Sequence, residues 1–109
     1  MSERERRIGI NEALFREVNE EIERLNEQLH GPRTLDVVCE CGDARCVERL
    51  PVSIDVYERV RNDPHRFLII PGHDLPDVET VIEKHDAFHI VEKIRDEPER
   101  IAEDTDPRS

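Results

Sequence analysis

The stretch that decides the fold runs Leu35-Asp36-Val37-Val38-Cys39-Glu40-Cys41-Gly42-Asp43-Ala44-Arg45-Cys46-Val47-Glu48-Arg49-Leu50-Pro51-Val52. Leu35 to Glu40 alternates loosely between apolar and polar residues, as a half-buried strand does. Val47 to Val52 can return beside it. The end of the first segment and the loop between them hold all 3 cysteines of the chain. Cys39 and Cys41 are two residues apart, so on a strand both side chains point to the same face. The gap to Cys46 lets the chain turn back, and Gly42 supplies the backbone freedom for such a turn. The segment reads as a hairpin tipped by a Cys-x-Cys-x4-Cys cluster, the setting of a zinc knuckle. Three thiolates on one tight loop suit a cation that prefers sulfur, zinc above all.

Zinc takes four ligands in a tetrahedron, so one must come from elsewhere. The 5 histidines are His30, His65, His73, His85 and His89. His73 is the candidate, because it follows Pro71-Gly72 after the most apolar run, Arg66 to Ile70, where a rigid turn can hold an imidazole in place. His30 lies at a helix end, where an imidazolium favours the dipole. His65 follows Asp63-Pro64 in a turn, His85 sits near the end of an expected helix, and His89 lies on a strand. The expected site is therefore Cys39, Cys41, Cys46 and His73 around zinc, with His65, His85, a water or the Asp43 carboxylate as alternatives for the fourth place. Two other readings stay open. The thiols can be free, with Cys39 and Cys46 as small buried hydrophobes, or they can hold an iron–sulfur cluster, although three cysteines are one short of the usual four. An odd cysteine count argues against a secreted disulfide framework.

Upstream, Ile8, Phe15, Val18, Ile22, Leu25 and Leu29 recur at helical spacing, with Asn11 on the same stripe. From Asn11 the steps alternate four and three, a heptad seam over three repeats. This predicts a helix over 8–30, stopped by Gly31-Pro32. The seam can pack on its own domain or zip two copies together, with Asn11 fixing the register. Residues 1–7 read as a flexible N-terminus. Downstream, Ser53 can cap a short helix from Ile54 to Arg61 that buries Val56, Tyr57 and Val60 and ends at Asp63-Pro64. Arg66 to Ile70 reads as the central strand. A second short helix is expected from Asp74–Asp77 onward, with Val78, Val81, Ile82 and His85 inward. Phe88 to Ile94 closes a single zinc-stabilised domain over 8–95, and 96–109 reads as a flexible acidic tail. The fold class is α+β: a long N-terminal helix, then a small antiparallel sheet with two short helices and a zinc knuckle.

Composition narrows the function. The chain has 109 residues, of which 39% are charged and 36% hydrophobic, so its core is small and a metal crosslink matters for stability. A net charge of −11 repels a phosphate backbone and an anionic membrane surface alike. No stretch approaches the roughly 18 apolar residues of a membrane span, and no apolar signal region opens the chain. A soluble cytoplasmic protein without nucleic acid or membrane as partner is expected. Catalytic patterns are absent too. There is no His-Glu-x-x-His, no Gly-rich phosphate loop and no deaminase signature. Three thiolates would also leave zinc a poor Lewis acid, so the residues favour a non-enzymatic role.

The segments Leu14-Phe15-Arg16-Glu17-Val18-Asn19-Glu20, Val38-Cys39-Glu40-Cys41-Gly42, Tyr57-Glu58-Arg59-Val60-Arg61, Arg66-Phe67, Pro71-Gly72-His73 and Val91-Glu92-Lys93 together resemble a group of small uncharacterised proteins from actinobacteria. The likeness rests on their order and spacing over residues 11 to 94. It implies that the cysteines and Pro71-Gly72-His73 belong to one site, and that the chain stands alone. The expected function is an interaction or regulatory module with a structural zinc, whose N-terminal helix meets a protein partner or a second copy. A thiol-based redox or metal sensor is the alternative, ahead of a zinc or cysteine enzyme.

Overall fold

The computed structural model describes residues 3–94 and 96–108. The element order is α1 (Glu3–Gln28), β1 (Thr34–Val38), β2 (Arg49–Ser53), α2 (Ile54–Arg61), β3 (Arg66–Ile69), β4 (Glu79–Lys84), β5 (His89–Lys93) and α3 (Asp96–Asp104). The architecture is α+β, with two antiparallel sheets: β1 pairs with β2, and the second sheet has the order β3-β5-β4. No helix among the described residues is long and apolar enough to cross a membrane.

The β1–β2 hairpin forms as its alternation predicts. Leu35 faces Val52 and Val37 faces Leu50, and all four are buried. They meet Tyr57 and Val60 of α2 and Leu68 and Ile90 of the second sheet. Ser53 caps α2 by accepting from the Val56 N–H. On the other face of the second sheet, Phe67, Ile69 and Val91 pack against Cys39, Cys41 and Ala102. Both faces of β3 are covered, so its run Phe67-Leu68-Ile69 is apolar without interruption.

Four expectations change. First, β5 rather than β3 is the central strand. The free edge of β3 is covered instead by the chain leaving β1: the Glu40 N–H donates to the Leu68 carbonyl at 2.8 Å, and the Leu68 N–H donates to Glu40 Oε1 at 2.9 Å. Second, the helix expected after Asp74 is a single turn followed by β4. Thr80, Val81 and Ile82 are consecutive β-branched residues that fit a pleated strand paired to β5 better than a helix. Third, 3–7 belong to α1, whose first residue described is Glu3; Met1 and Ser2 lie outside the described residues. Fourth, much of the expected tail is α3. Its Ala102 is buried, and Ile101 packs on Gly9 of α1; Arg95 and Ser109 lie outside the described residues.

The long helix carries the largest departure. Its buried residues are Gly9, Glu12, Arg16 and Asn19, three of them polar. Lys93 donates to Glu12 and Glu79 across the interior. Arg16 donates to the carbonyls of Pro64 and Ala102, both at 2.8 Å, with its guanidinium over the Phe67 ring. Asn19 clasps the backbone of Val38, donating to its carbonyl and accepting from its N–H. Of the apolar residues read as the packing stripe, Ile8, Phe15 and Ile22 are half-buried, Ile22 packing against the core, while Val18, Leu25 and Leu29 are exposed.

Candidate metal centre

Three local structures bring the predicted site together. The first is the end of the hairpin. The Cys39 N–H still donates to the Glu48 carbonyl at 3.0 Å, continuing the β1–β2 ladder, so Cys39 and Cys41 leave the strand on one side. Glu40, between them, points the opposite way. The second is the loop that returns Cys46. Gly42 has φ +81°, in the left-handed region that favours glycine. Asp43 then holds the turn: its carboxylate accepts from the Arg45 N–H and its carbonyl from the Cys46 N–H. The third is the turn after β3, where the His73 N–H donates to the Ile70 carbonyl at 3.0 Å. Pro71 and Gly72 occupy its middle, with Gly72 at φ +90°, as a type II turn requires.

The result is a cluster in which the sulfurs of Cys39, Cys41 and Cys46 and one nitrogen of His73 all lie within 4.8 Å of one another, a group that can hold a metal ion. His73 Nδ1 is 3.6 Å from Cys39 Sγ and 3.8 Å from Cys46 Sγ. Metal–sulfur bonds of about 2.3 Å and a metal–nitrogen bond of about 2.0–2.1 Å give a tetrahedron with edges of about 3.6–3.8 Å. The two sulfur–nitrogen separations match those edges, and all four donors lie within 4.8 Å of one another.

The surroundings suit thiolates. The Ile70 N–H donates to Cys39 Sγ at 3.2 Å, and the N–H groups of Asp43 and Glu48 serve Cys41 and Cys46. Each sulfur therefore has a backbone donor to spread its charge. Within the cluster the Cys39 S–H supports a Cys41 thiolate, which is held down to about 5. Cys39, donating that hydrogen bond and buried, is pushed well above the usual thiol range. Burial raises Cys46 as well.

Sequence inspection missed the groups that aim these ligands. His73 Nε2 lies 3.1 Å from the Glu48 carboxylate. A carboxylate on the far nitrogen fixes the tautomer and turns Nδ1 toward the sulfurs. Glu48 stands two residues past Cys46, but in sequence it looks like any surface charge. The loop is also clamped by α1: Asn11 donates to the Gly42 carbonyl at 2.9 Å, and a Cβ added at Gly42 would lie 2.8 Å from Ile8 Cγ2. Asn11, read as a possible register residue between copies, makes its bond within the chain.

The other candidates lie elsewhere. His65 pairs with Asp63 and Glu103, His85 pairs with Glu83 and stacks on Phe88, and Asp43 is occupied by Arg45. His30 ends α1, in the left-handed region at φ 50°, and His89 is half-buried on β5. Cys39 and Cys41 are only 1% and 4% exposed, whereas Cys46 is half-buried. It opens with Cys41 and His73 onto a cleft of about 850 Å³ that Arg7, Asn11 and Leu75 also line. No protein-family model, no curated protein and no solved structure matches the chain.

Proposed function

We propose that this protein is a small zinc-binding interaction or regulatory module in which Cys39, Cys41, Cys46 and His73 hold a structural zinc. The convergence of the four donors carries this reading: they lie within 4.8 Å of one another, and His73 Nδ1 stands 3.6 and 3.8 Å from two of the sulfurs, the edge length a zinc tetrahedron has. Three sulfurs and an imidazole favour zinc over the oxygen-seeking divalent cations. Four protein ligands leave no open position for a substrate, which supports a structural role over a catalytic one. The ion would tie the hairpin tip to the turn after β3 and, through Gly42, to α1. Reduced thiols in such a site fit a reducing compartment such as the cytoplasm.

The test is the metal content of the untagged protein by inductively coupled plasma mass spectrometry. About one zinc per chain is expected, lost in Cys41→Ser and weakened in His73→Ala. Protein without metal and with three freely titrating thiols would overturn the proposal.

A second reading, an oxidant-responsive site, is favoured by the unequal burial of the sulfurs. Only Cys46 opens onto the cleft from a half-buried position. A peroxide would transfer one oxygen to the Cys46 thiolate with release of water or hydroxide. A second thiolate would then displace hydroxide from that sulfur to close a disulfide, and the metal would leave. Limited peroxide followed by mass spectrometry should find Cys46 modified first; uniform modification of all three cysteines would sink this reading.

A further inference from the structure

The charges that line the cleft beside the cysteine cluster do not all find partners within the chain. Arg4 pairs with Asp77 at 2.7 Å, Arg45 with Asp43 at 3.5 Å and His73 with Glu48 at 3.1 Å. Among the described residues, the side chains of Arg7 on α1 and of Asp74 in the segment after β3 have no partner. Both line the cleft, and Ile8 and Leu75 add apolar surface to it. Its volume of about 850 Å³ lies within the roughly 300–1,000 Å³ of small-molecule sites.

A cleft with one cation and one anion left over fits a ligand that carries both charges. A guanidinium takes a carboxylate in two parallel hydrogen bonds, and a carboxylate takes an ammonium, each as a charge-assisted pair. The α-amino carboxylate group supplies that pair of charges and has no net charge. This matters in a chain of net charge −11, whose field repels anions from a distance. A phosphate or a dicarboxylate would meet that field and the Asp43 and Asp74 carboxylates as well. A diamine would meet the guanidinium groups of Arg4, Arg7 and Arg45. Cys46 adds a third requirement. It is the half-buried sulfur of the cluster and opens onto the same cleft, so a bound ligand with a sulfur of its own would meet a nucleophile.

We propose that the cleft binds a small disulfide of an amino-acid thiol, its carboxylate on Arg7 and its ammonium on Asp74, and that this ligand thiolates Cys46. The Cys46 thiolate attacks one sulfur of the ligand. The new S–S bond forms as the ligand's own S–S bond breaks, and the second half leaves as a thiolate. Cys46 is oxidised to a mixed disulfide and the released half is reduced, with no proton required. The proposal rests on the oxidant-responsive reading of Cys46 and names the class of oxidant.

The experiment treats the full chain, as purified, with four small disulfides and follows thiolation by intact mass and peptide mapping. Cystine is zwitterionic, cystamine dicationic, dithiodipropionate dianionic and hydroxyethyl disulfide neutral. For each reagent the wild type is compared with Arg7→Ala and Asp74→Asn, so that differences in intrinsic reactivity cancel. Cystine is expected to modify Cys46 first, and about three- to fivefold more slowly in either variant. Arg7→Ala alone should slow dithiodipropionate, and Asp74→Asn alone should slow cystamine. Neither should change the rate with hydroxyethyl disulfide or hydrogen peroxide. A change confined to the long-range field of the chain would spare cystine, which has no net charge. A cystine rate indifferent to either substitution, equal slowing of all four disulfides, or thiolation spread over all three cysteines overturns the proposal. Where peroxide still attacks Cys46 first, the oxidant-responsive reading survives that failure; uniform attack by peroxide removes both.

Discussion

On one side of the segment Cys39–Cys41, two sulfurs reach toward Cys46 and His73; on the other, the Glu40 carboxylate takes the Arg61 guanidinium in two hydrogen bonds of 2.8 and 2.9 Å. Three residues thus face two polar anchors built on different chemistry. The ionic anchor is complete within the chain. Glu40 also accepts from Asn19 and the Leu68 N–H, and both charged side chains are almost wholly buried. The thiolate anchor would reach full strength only with a cation from solution, and protons and oxidants would compete for the same sulfurs. A chain with a small apolar core joins its two sheets by both means, one permanent and one conditional. Buried ion pairs carry a large desolvation cost, so what the Glu40–Arg61 pair contributes is chiefly position. It holds the strand end in place, so that Cys39 and Cys41 face the right way before any metal arrives.

The conditional anchor should break most completely. Strong chelation at neutral pH is expected to abolish the cooperative unfolding transition, since structural zinc in small domains supplies about 10–16 kcal/mol of apparent binding energy. An unchanged far-UV circular dichroism spectrum and melting curve after complete metal removal would show that the ionic anchor suffices alone. Next in size, Arg61→Met should cost about 3–5 kcal/mol by leaving Glu40 buried and uncompensated. Adding Glu40→Gln sharpens the comparison, because the carboxamide oxygen can still accept from Leu68. The double variant should recover more than half of the loss in urea denaturation, and a loss equal to the sum of the two single changes would argue against a charge-based origin.

The smallest effect concerns the second buried ionic group, where one ammonium, Lys93, serves two carboxylates, Glu12 and Glu79. Burial pushes Glu12 up to about 8, more than the attraction of Lys93 pulls it down. The folded chain therefore keeps a proton that the unfolded chain releases above its ordinary pKa of about 4.5. Stability from this group is fully present below that value and falls as pH rises toward 8. Glu12→Gln should flatten the decline between pH 5 and 8 and change stability by only about 1 kcal/mol at pH 6. A urea midpoint profile as steep as that of the wild type would contradict this.

What could be read in advance follows the same division. Cysteines are rare and their spacing is local, so Cys39, Cys41 and Cys46 announced themselves, and the Pro-Gly turn pointed to His73. The hairpin was legible from its alternation and α2 from Ser53. The ionic anchors were not, because Glu40 and Arg61, or Glu12 and Lys93, look like solvated charges until the fold brings them together. Glu12 and Lys93 are 81 residues apart. For the same reason α1 was read by its apolar stripe, although only Ile8, Phe15 and Ile22 of that stripe are half-buried and the fully buried side chains of the helix are polar. The segment from Val78 to His85 carries apolar residues at three- and four-residue steps as well as a β-branched run, and pairing with β5 decides between them.

One contact of the metal centre bears on solubility. The sulfur of Cys39 accepts the Ile70 N–H just past β3, while Glu40 occupies both backbone groups of Leu68. Together they cap the open edge of Phe67-Leu68-Ile69-Ile70, a segment with the composition of an aggregation nucleus. A thiolate drawn off by oxidation, or a loop released by metal loss, would uncover that edge for pairing with another molecule. A metal held at these sulfurs would then protect the protein from precipitation as well as from unfolding.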